Sequence, residues 1–437
     1  FGISFVVDAF GAVLALATSV VGLAAVIFAR SEISEDNKRY GFFPFLLLMI
    51  GGVSGAFLTG DIFNLYVWFE VLLISSFGLI VLGNEHRQLD GSLKYAFLNL
   101  LATTFFLIAV GYLYAMIGTL NMADIALELR TNPDYPTTTL AGLFLFAFAM
   151  KAAAFPVNFW LPASYHTPRI VVSALFAGLL TKVGVYALVR VLVMLFPADL
   201  SAFDGVLGWV AALTAVLGGA GALAQSDVRR LLGYLVISGI GAMLIGVAIG
   251  TPDALRGVIA YAVHSIIVMT ALYFMAGIMG RLTGSFDLRG IGGLYRAHPY
   301  FAALSLVLVF AISGLPPFSG FWPKVVLVRA GVAEGEGWLV GALLFSSFLT
   351  LLAVGRLWSF GFWRDGPEGT PDGTTAGGVR ALTLESGRPL LVPLTFLVLI
   401  VVGLGLYAEP LIRVAGVGAA GLVEPSAYLN ALLETAR

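Results

Sequence analysis

The sequence contains no cysteine. Disulfides, thiolate nucleophiles and cysteine-held metals are excluded with it. Charge is almost as scarce. Only 11% of the 437 residues are Asp, Glu, Lys or Arg, against 59% hydrophobic. Soluble domains carry roughly 25% charged residues, so this composition is that of a membrane protein. The net charge of −1 gives no support to a nucleic-acid or acidic partner. His86, His166, His264 and His298 are scattered without metal-ligand spacing, so no metal is expected. There is no Walker-type loop, dinucleotide fingerprint or redox-ligand set. No cofactor is therefore expected, and any transport would have to draw on an ion gradient or on partner subunits. The first residue is Phe1, with no basic region before an apolar core. This predicts that native sequence precedes it.

Apolar runs are what the chain has in abundance. At roughly 20 residues per crossing, they predict about twelve transmembrane helices. The runs are 4–29, 41–59, 61–83, 93–118, 139–160, 168–196, 206–225, 229–250, 254–280, 299–330, 336–361 and 389–408. No apolar-out, polar-in alternation of a barrel is seen, so the expected fold is an all-α polytopic membrane protein in a lipid bilayer. Positive residues set the orientation. Arg30, Lys38, Arg39, Arg87, Lys94, Arg169, Arg229, Arg230, Arg281, Arg289, Arg296, Arg364, Arg380 and Arg388 fall on one side. Arg130, Arg190, Arg256, Arg329, Arg413 and Arg437 fall on the other. The richer side is expected in the cytoplasm of a prokaryote, with both chain ends as given on the outer side of the cell membrane. Arg356 and three lysines inside apolar runs belong to neither set.

Two runs are interrupted. One reads from Lys151 through Phe155-Pro156 to Trp160-Leu161-Pro162, the other from Ser313-Gly314-Leu315-Pro316-Pro317 to Pro323-Lys324. Proline removes a helical hydrogen bond and clashes with the preceding turn, so both helices must kink or break at Pro156 and at Pro316 and Pro317. Broken backbone at membrane depth is tolerated only where it is buried in protein or lines a cavity. The breaks are an odd number of runs apart and so lie in antiparallel helices, the signature of inverted repeats. The expected organisation is a flanking helix in 1–40, a five-helix repeat in 41–196, an inverted five-helix repeat in 197–361, and 362–437. The last part holds a polar connector at 365–379, a final helix and a tail from 409. The tail is apolar enough for a short interfacial helix, which the sequence leaves open.

Inside the runs the ionisable residues are few: Asp8, Glu70, Lys151, Lys182, His264, Lys324 and Arg356. Glu70 sits in the middle of Gly60–Ser76, where a charge costs roughly 3 kcal/mol at the bilayer centre. Against nineteen arginines there are five lysines, and three of them are in these runs. Lysine, unlike arginine, can lose and regain a proton at accessible pH. Glu70 therefore reads as one member of a proton relay or as half of a structural salt bridge. Lys151 is the first choice of partner, with Lys182 beyond it. Lys151 and Lys324 can alternatively snorkel out of their spans. His264 reads equally as a relay member or as a hydrogen-bonded packing residue. Arg356, beside Trp358, reads as an interface anchor, and Asp8 as solvated at the outer end of the first span. His166, in the cytoplasmic loop before Pro168, reads as a proton uptake point or an ordinary loop residue.

Several segments carry a resemblance. They are Gly60–Glu70, Lys151–Pro156 leading to Trp160-Leu161-Pro162, Ser173–Tyr186, Gln225–Tyr234 and Ser313–Lys324. In this order they resemble the antiporter-like subunits shared by respiratory complex I, membrane-bound hydrogenases and Mrp-type multisubunit Na+/H+ antiporters. Asp61–Tyr66 and Tyr165-His166-Thr167-Pro168 resemble most the D-type subunits of the Mrp branch. The resemblance implies Glu70 paired with a lysine, Lys182 as central relay, His264 as a bridge and Lys324 as the terminal site. It implies inverted five-helix repeats, further Mrp-type subunits as partners, and two more helices before Phe1. One residue departs from the pattern: Met269 stands where many relatives carry a lysine after the histidine, so a path through that helix must use His264 and water.

The expected function is proton translocation in a multisubunit cation/proton antiporter, an ion transporter rather than an enzyme. Sodium needs several oxygen ligands at one point, and few are visible, so Na+ is assigned to a partner subunit. The alternatives are a proton-pumping subunit of a redox-driven complex and a scaffold without transport of its own.

Overall fold

The computed structural model describes residues 3–365 and 384–435. Among these the chain is helical, with isolated β-bridges and no strand. The apolar runs form α1 (Ala9–Glu32), α2 (Phe42–Leu58), α3 (Ile62–Val81), α4 (His86–Ile117), α5 (Thr138–Ala152) and α6 (Ile170–Val193). They continue with α7 (Asp204–Ala224), α8 (Val228–Ile249), α9 (Pro252–Thr283), α10 (Pro299–Ser313), α11 (Phe321–Ala333) and α12 (Gly337–Trp363). The last are α13 (Leu384–Leu406), α14 (Glu409–Val423) and α15 (Ser426–Thr435). Among the described residues, nine helices are long and apolar enough to cross a membrane, and α2, α5 and α10 are shorter apolar helices. The run 299–330 is divided between α10 and α11, each too short to cross alone. Nearly all of the connector 365–379, with Arg380 and Arg437, lies outside the described residues. The tail is not a lone interfacial helix: α14 packs on α1 and α9, and α15 packs on the short helix Met122–Thr131.

The two interruptions share one local geometry. α5 ends in Ala153 at φ 60° and α10 ends in Gly314 at φ 80°. Both residues are left-handed, which glycine accepts freely and alanine only at about 1–2 kcal/mol. In both, the next amide reaches back to close the helix end, Ala154 N–H to Ala149 O at 2.9 Å and Leu315 N–H to Phe310 O at 3.1 Å. A cis X-Pro bond follows each, at Phe155–Pro156 and Pro316–Pro317. The helix starts match too. Asp61 caps α3 and bridges to Asn121, while Asp227 caps α8 and bridges to Asp287.

Apolar burial gives little drive between helices in lipid, so close packing of small residues takes its place. The α7–α8 pair is the tightest example. A β-carbon on Gly241 would collide with the Ala215 backbone nitrogen, and Ser238 Oγ donates to Ala215 O at 3.0 Å. Two helices are enclosed completely. The apolar windows of α6 and α9 are 100% buried, whereas those of α1, α3 and α4 are half buried or less. These two inner helices carry Lys182 and His264.

α6 crosses the first break at Gly184. A β-carbon there would lie 2.7 Å from Ala152 N and 2.9 Å from Lys151 C. Gly184→Ala must push α6 off the break. The expected cost is about 1–3 kcal/mol, read as a lower thermal unfolding midpoint of the purified protein in detergent.

Candidate functional site

Glu70 lies midway along α3, partly buried. Its neighbour Phe69 is buried, and the Lys151 ammonium stands over the Phe69 ring, 5.5 Å from its centre. Lys151 is in the last turn of α5, and its Nζ is buried without a hydrogen-bond partner. Glu70 is the carboxylate whose field reaches Lys151. The two do not form a direct ion pair, which would need an N–O distance of 4.0 Å or less. The break beside them is satisfied by a residue the sequence did not single out. Thr214 of α7 accepts the Phe155 N–H at 2.9 Å, which accounts for an amide freed by the broken helix.

Lys182 is 1% exposed at the centre of α6. The helix is not regular around it. Phe176–Leu180 and Val189–Val193 are π-helical turns on either side. The ammonium donates to Ala177 O, within the first of these turns. π-turns leave carbonyls open to side chains and recur at functional sites. No sequence pattern announced them.

His264, on α9, is fully buried. Its Nδ1 bonds Ser319 Oγ at 2.8 Å, and its Nε2 has no hydrogen-bond partner. It rests on the second break: a β-carbon on Gly320 would come 2.9 Å from its Cε1. The fields of both Lys324 and Lys182 reach it. Lys324, in the first turn of α11, does not snorkel away. Its Nζ turns back to Ser313 O at 3.1 Å and Ile312 O at 3.4 Å. Those are end carbonyls of α10, where the helix dipole favours a cation. Beside it is a small cavity lined by Ser238, Tyr261, Ser346, Ser347 and Thr350. Among the described residues, no three His, Asp or Glu side chains converge as a ligand set for a metal.

His166 Nδ1 lies 2.8 Å from Pro162 O, and Nε2 lies 3.2 Å from Arg230 Nη2. A neutral ring that donates from Nδ1 and accepts at Nε2 satisfies both. Burial first, then the Arg230 charge, pulls its pKa below the usual 6.5.

Two placements differ from expectation. Asp8 is not simply solvated: it caps α1 through Gly11 N–H and pairs with Arg190 at 2.7 Å. Arg190 is not a loop charge either, being 1% exposed. Its Nε donates to Tyr186 OH at 3.2 Å, and its guanidinium stands near the rings of Phe10, Tyr186 and Tyr428. Arg356 also binds the chain itself, donating to Leu223 O at 2.6 Å at the end of α7. One acid was missed altogether. Glu32, in the last turn of α1, bonds the amides of Ile170 and Val171 at 2.6 and 2.9 Å.

A family profile described as NADH:quinone oxidoreductase/Mrp antiporter, TM, matches residues 59–350. The chain belongs to that family. It is 38% identical over 436 residues to the D-type subunit of the Na(+)/H(+) antiporter of Alkalihalophilus pseudofirmus, covering 99% of this chain and 86% of the relative. The corresponding antiporter protein of Bacillus subtilis matches with the same identity and coverage. In structure the chain resembles one from the Mrp complex of Dietzia sp., with TM-score 0.88, 31% identity and coverage of 99% and 87%. A chain of respiratory complex I from Thermus thermophilus matches with TM-score 0.82, 26% identity and coverage of 95% and 85%.

Two outcomes are expected. Asp8→Ala leaves the buried Arg190 unpaired and should destabilise the fold by about 3–5 kcal/mol, read from thermal unfolding against wild type. A depressed histidine pKa means that the stability due to His166 is complete above pH 6.5 and is lost as pH falls through the folded-state value. His166→Gln should therefore leave thermal stability unchanged at about pH 7.5 and flatten its decline below the usual histidine pKa.

Proposed function

We propose that this chain is the proton-translocating subunit of a multisubunit Na+(cation)/H+ antiporter, working with other Mrp-type subunits. Glu70, Lys151, Lys182, His264 and Lys324 form the relay near the membrane midplane. The observation that carries this reading is the state of the three lysines. Lys151 and Lys182 are buried and Lys324 is partly buried, and among the described residues none has a carboxylate within ion-pair distance. A structural salt bridge would pair them. Ammonium groups held by carbonyls, or by nothing in the protein, are free to pass a proton on.

The neighbours of each group support one order for the relay. Glu70 biases Lys151, and Lys182 and Lys324 both act on His264. Buried polar atoms without a protein partner are usually served by water. Among those in the described residues, Lys151 Nζ, Thr181 Oγ1, Tyr165 OH and His264 Nε2 are on α5, α6, α9 and the segment joining α5 to α6. Ordered water linking them gives the proton its path, and His264 replaces a second lysine where Met269 cannot titrate. Na+ crosses through a partner subunit. Residues 41–196 and 197–361 are the inverted repeats, a division supported by the matching breaks and caps, and the chain ends lie on the outer side. A redox-driven complex is the second reading, favoured by the likeness to complex I. The subunits that co-purify from the native membrane separate the two.

Lys182→Ala and Glu70→Ala should each lower antiport at least tenfold in vesicles holding the assembled complex. Lys324→Arg should do the same, because arginine keeps its proton. Wild-type transport by assembled Lys182→Ala complex would sink the relay. A silent Lys324→Arg would support a scaffold role.

A further inference from the structure

One acid remains outside the relay, and it touches the relay's central helix. Glu32 closes α1, yet its two oxygens take the first two amides of α6, 138 and 139 residues further along the chain. These are N–H groups that a helix cannot satisfy internally. A capping residue normally precedes its helix, but here Arg169 holds that place without a side-chain cap. The carboxylate thus serves as a cap from another span, at the positive end of the α6 dipole.

The same corner binds α9. Arg281, in the last turn of α9, donates from Nη1 to Ser31 O at 3.3 Å. One helical level deeper, Phe28 stacks on Phe274 with centres 4.2 Å apart. Three helices are therefore joined at one point: α1 by Glu32 and Ser31, α6 by its first amides, and α9 by Arg281. Two of them are the enclosed helices that carry Lys182 and His264. The charged groups facing Glu32 are Arg169 of the α6 start and Arg281 of α9. Arg169 also faces Glu85 at 3.5 Å. Around Lys182 itself, the groups are Tyr186 on the same helix, His264 of α9 within reach of its field, and the Lys151 end of α5 packed on Gly184.

We propose that Glu32 is a positioning residue for proton transfer: its carboxylate caps the Lys182 helix from a neighbouring span, fixes that helix in depth against the His264 helix, and supplies the counter-charge at their common end. Depth matters because Lys182 has only a carbonyl partner, and a small axial slip changes which groups it meets. Charge matters because Arg169, Arg281 and the helix terminus are all positive. Glu85 pairs with Arg169, and Glu32 is the acid that binds the helix terminus itself, about 18 Å from Lys182 by helical rise. At that range in a protein, one charge displaces a titration by several tenths of a pH unit. Removing the anion disfavours the ammonium at position 182, so transport should need a lower pH.

This inference rests on Lys182 being a relay group, and the test keeps the two apart. Glu32→Gln, Glu32→Asp and Lys182→Ala are placed in the assembled complex, reconstituted in vesicles, and antiport is followed from about pH 6 to about pH 9. Lys182→Ala is the control for the relay: wild-type transport there overturns the relay, whatever Glu32 does. With Lys182→Ala inactive, Glu32→Gln should cut the maximal rate several-fold and move the pH profile toward acid by several tenths of a unit. Glu32→Asp keeps the charge but is too short for both amides, so it should slow transport at the wild-type pH position. A wild-type profile in Glu32→Gln overturns the proposal. So does an equal displacement in both variants, which would mark a merely structural contact. If Glu32→Gln fails to assemble, Glu32→Asp decides alone, and a displaced pH position overturns the proposal.

Discussion

An ammonium inside a membrane protein needs a partner, and this fold supplies backbone carbonyls where a carboxylate is usual. Lys182 binds Ala177 O in a π-turn, and Lys324 binds Ser313 O and Ile312 O at the end of a broken helix. In regular helix each carbonyl already takes the amide four residues on, so only its second lone pair is open to a side chain. The irregular backbone and the buried lysines are therefore one feature. The π-turn and the second break free the oxygens, and the oxygens hold these two cations without a fixed counter-charge. The partial negative end of α10 adds to the effect at Lys324.

Irregular backbone inside lipid is stable only when the rest of the bundle closes over it. α6 shows how this is done. It is clamped at its start by Glu32, pressed at Gly184 onto the first break, and tied near its end by Arg190. Arg190 in turn holds Asp8 at the start of α1 and stands over the ring of Tyr428 of α15. The tail that looked peripheral thus covers a buried charge. The first break is served the same way, by Thr214 from α7. In both cases a polar group left open by one helix is met by a side chain from a different span.

Much of this was legible in the residues, for definite reasons. Apolar runs must cross the bilayer as helices, so the fold class followed from length and hydropathy. Pro156, Pro316 and Pro317 cannot sit in regular helix, so the breaks were visible. Lys151, Lys182 and Lys324 stood out because charge in such runs is rare. Arg190 and Asp8 were read differently, and Glu32 was passed over, because they lie near the ends of runs. Position along a run resembles a loop there, and only the neighbouring helix decides whether water or protein surrounds the group. The π-turns around Lys182 have no composition of their own. They lie where α6 packs between α5 and α9.

The sequence by itself determined that the chain spans a membrane, that two helices break, and which scarce charges are placed inside. These are local matters: the cost of a polar group in lipid and the geometry of proline act on each segment alone. Only the tertiary structure decided which carbonyls hold Lys182 and Lys324, that Glu70 stands near Lys151 without pairing to it, and that Glu32 caps a helix far along the chain. Such contacts join segments distant in sequence. Their energy depends on distance and burial between helices, which no single stretch of sequence contains.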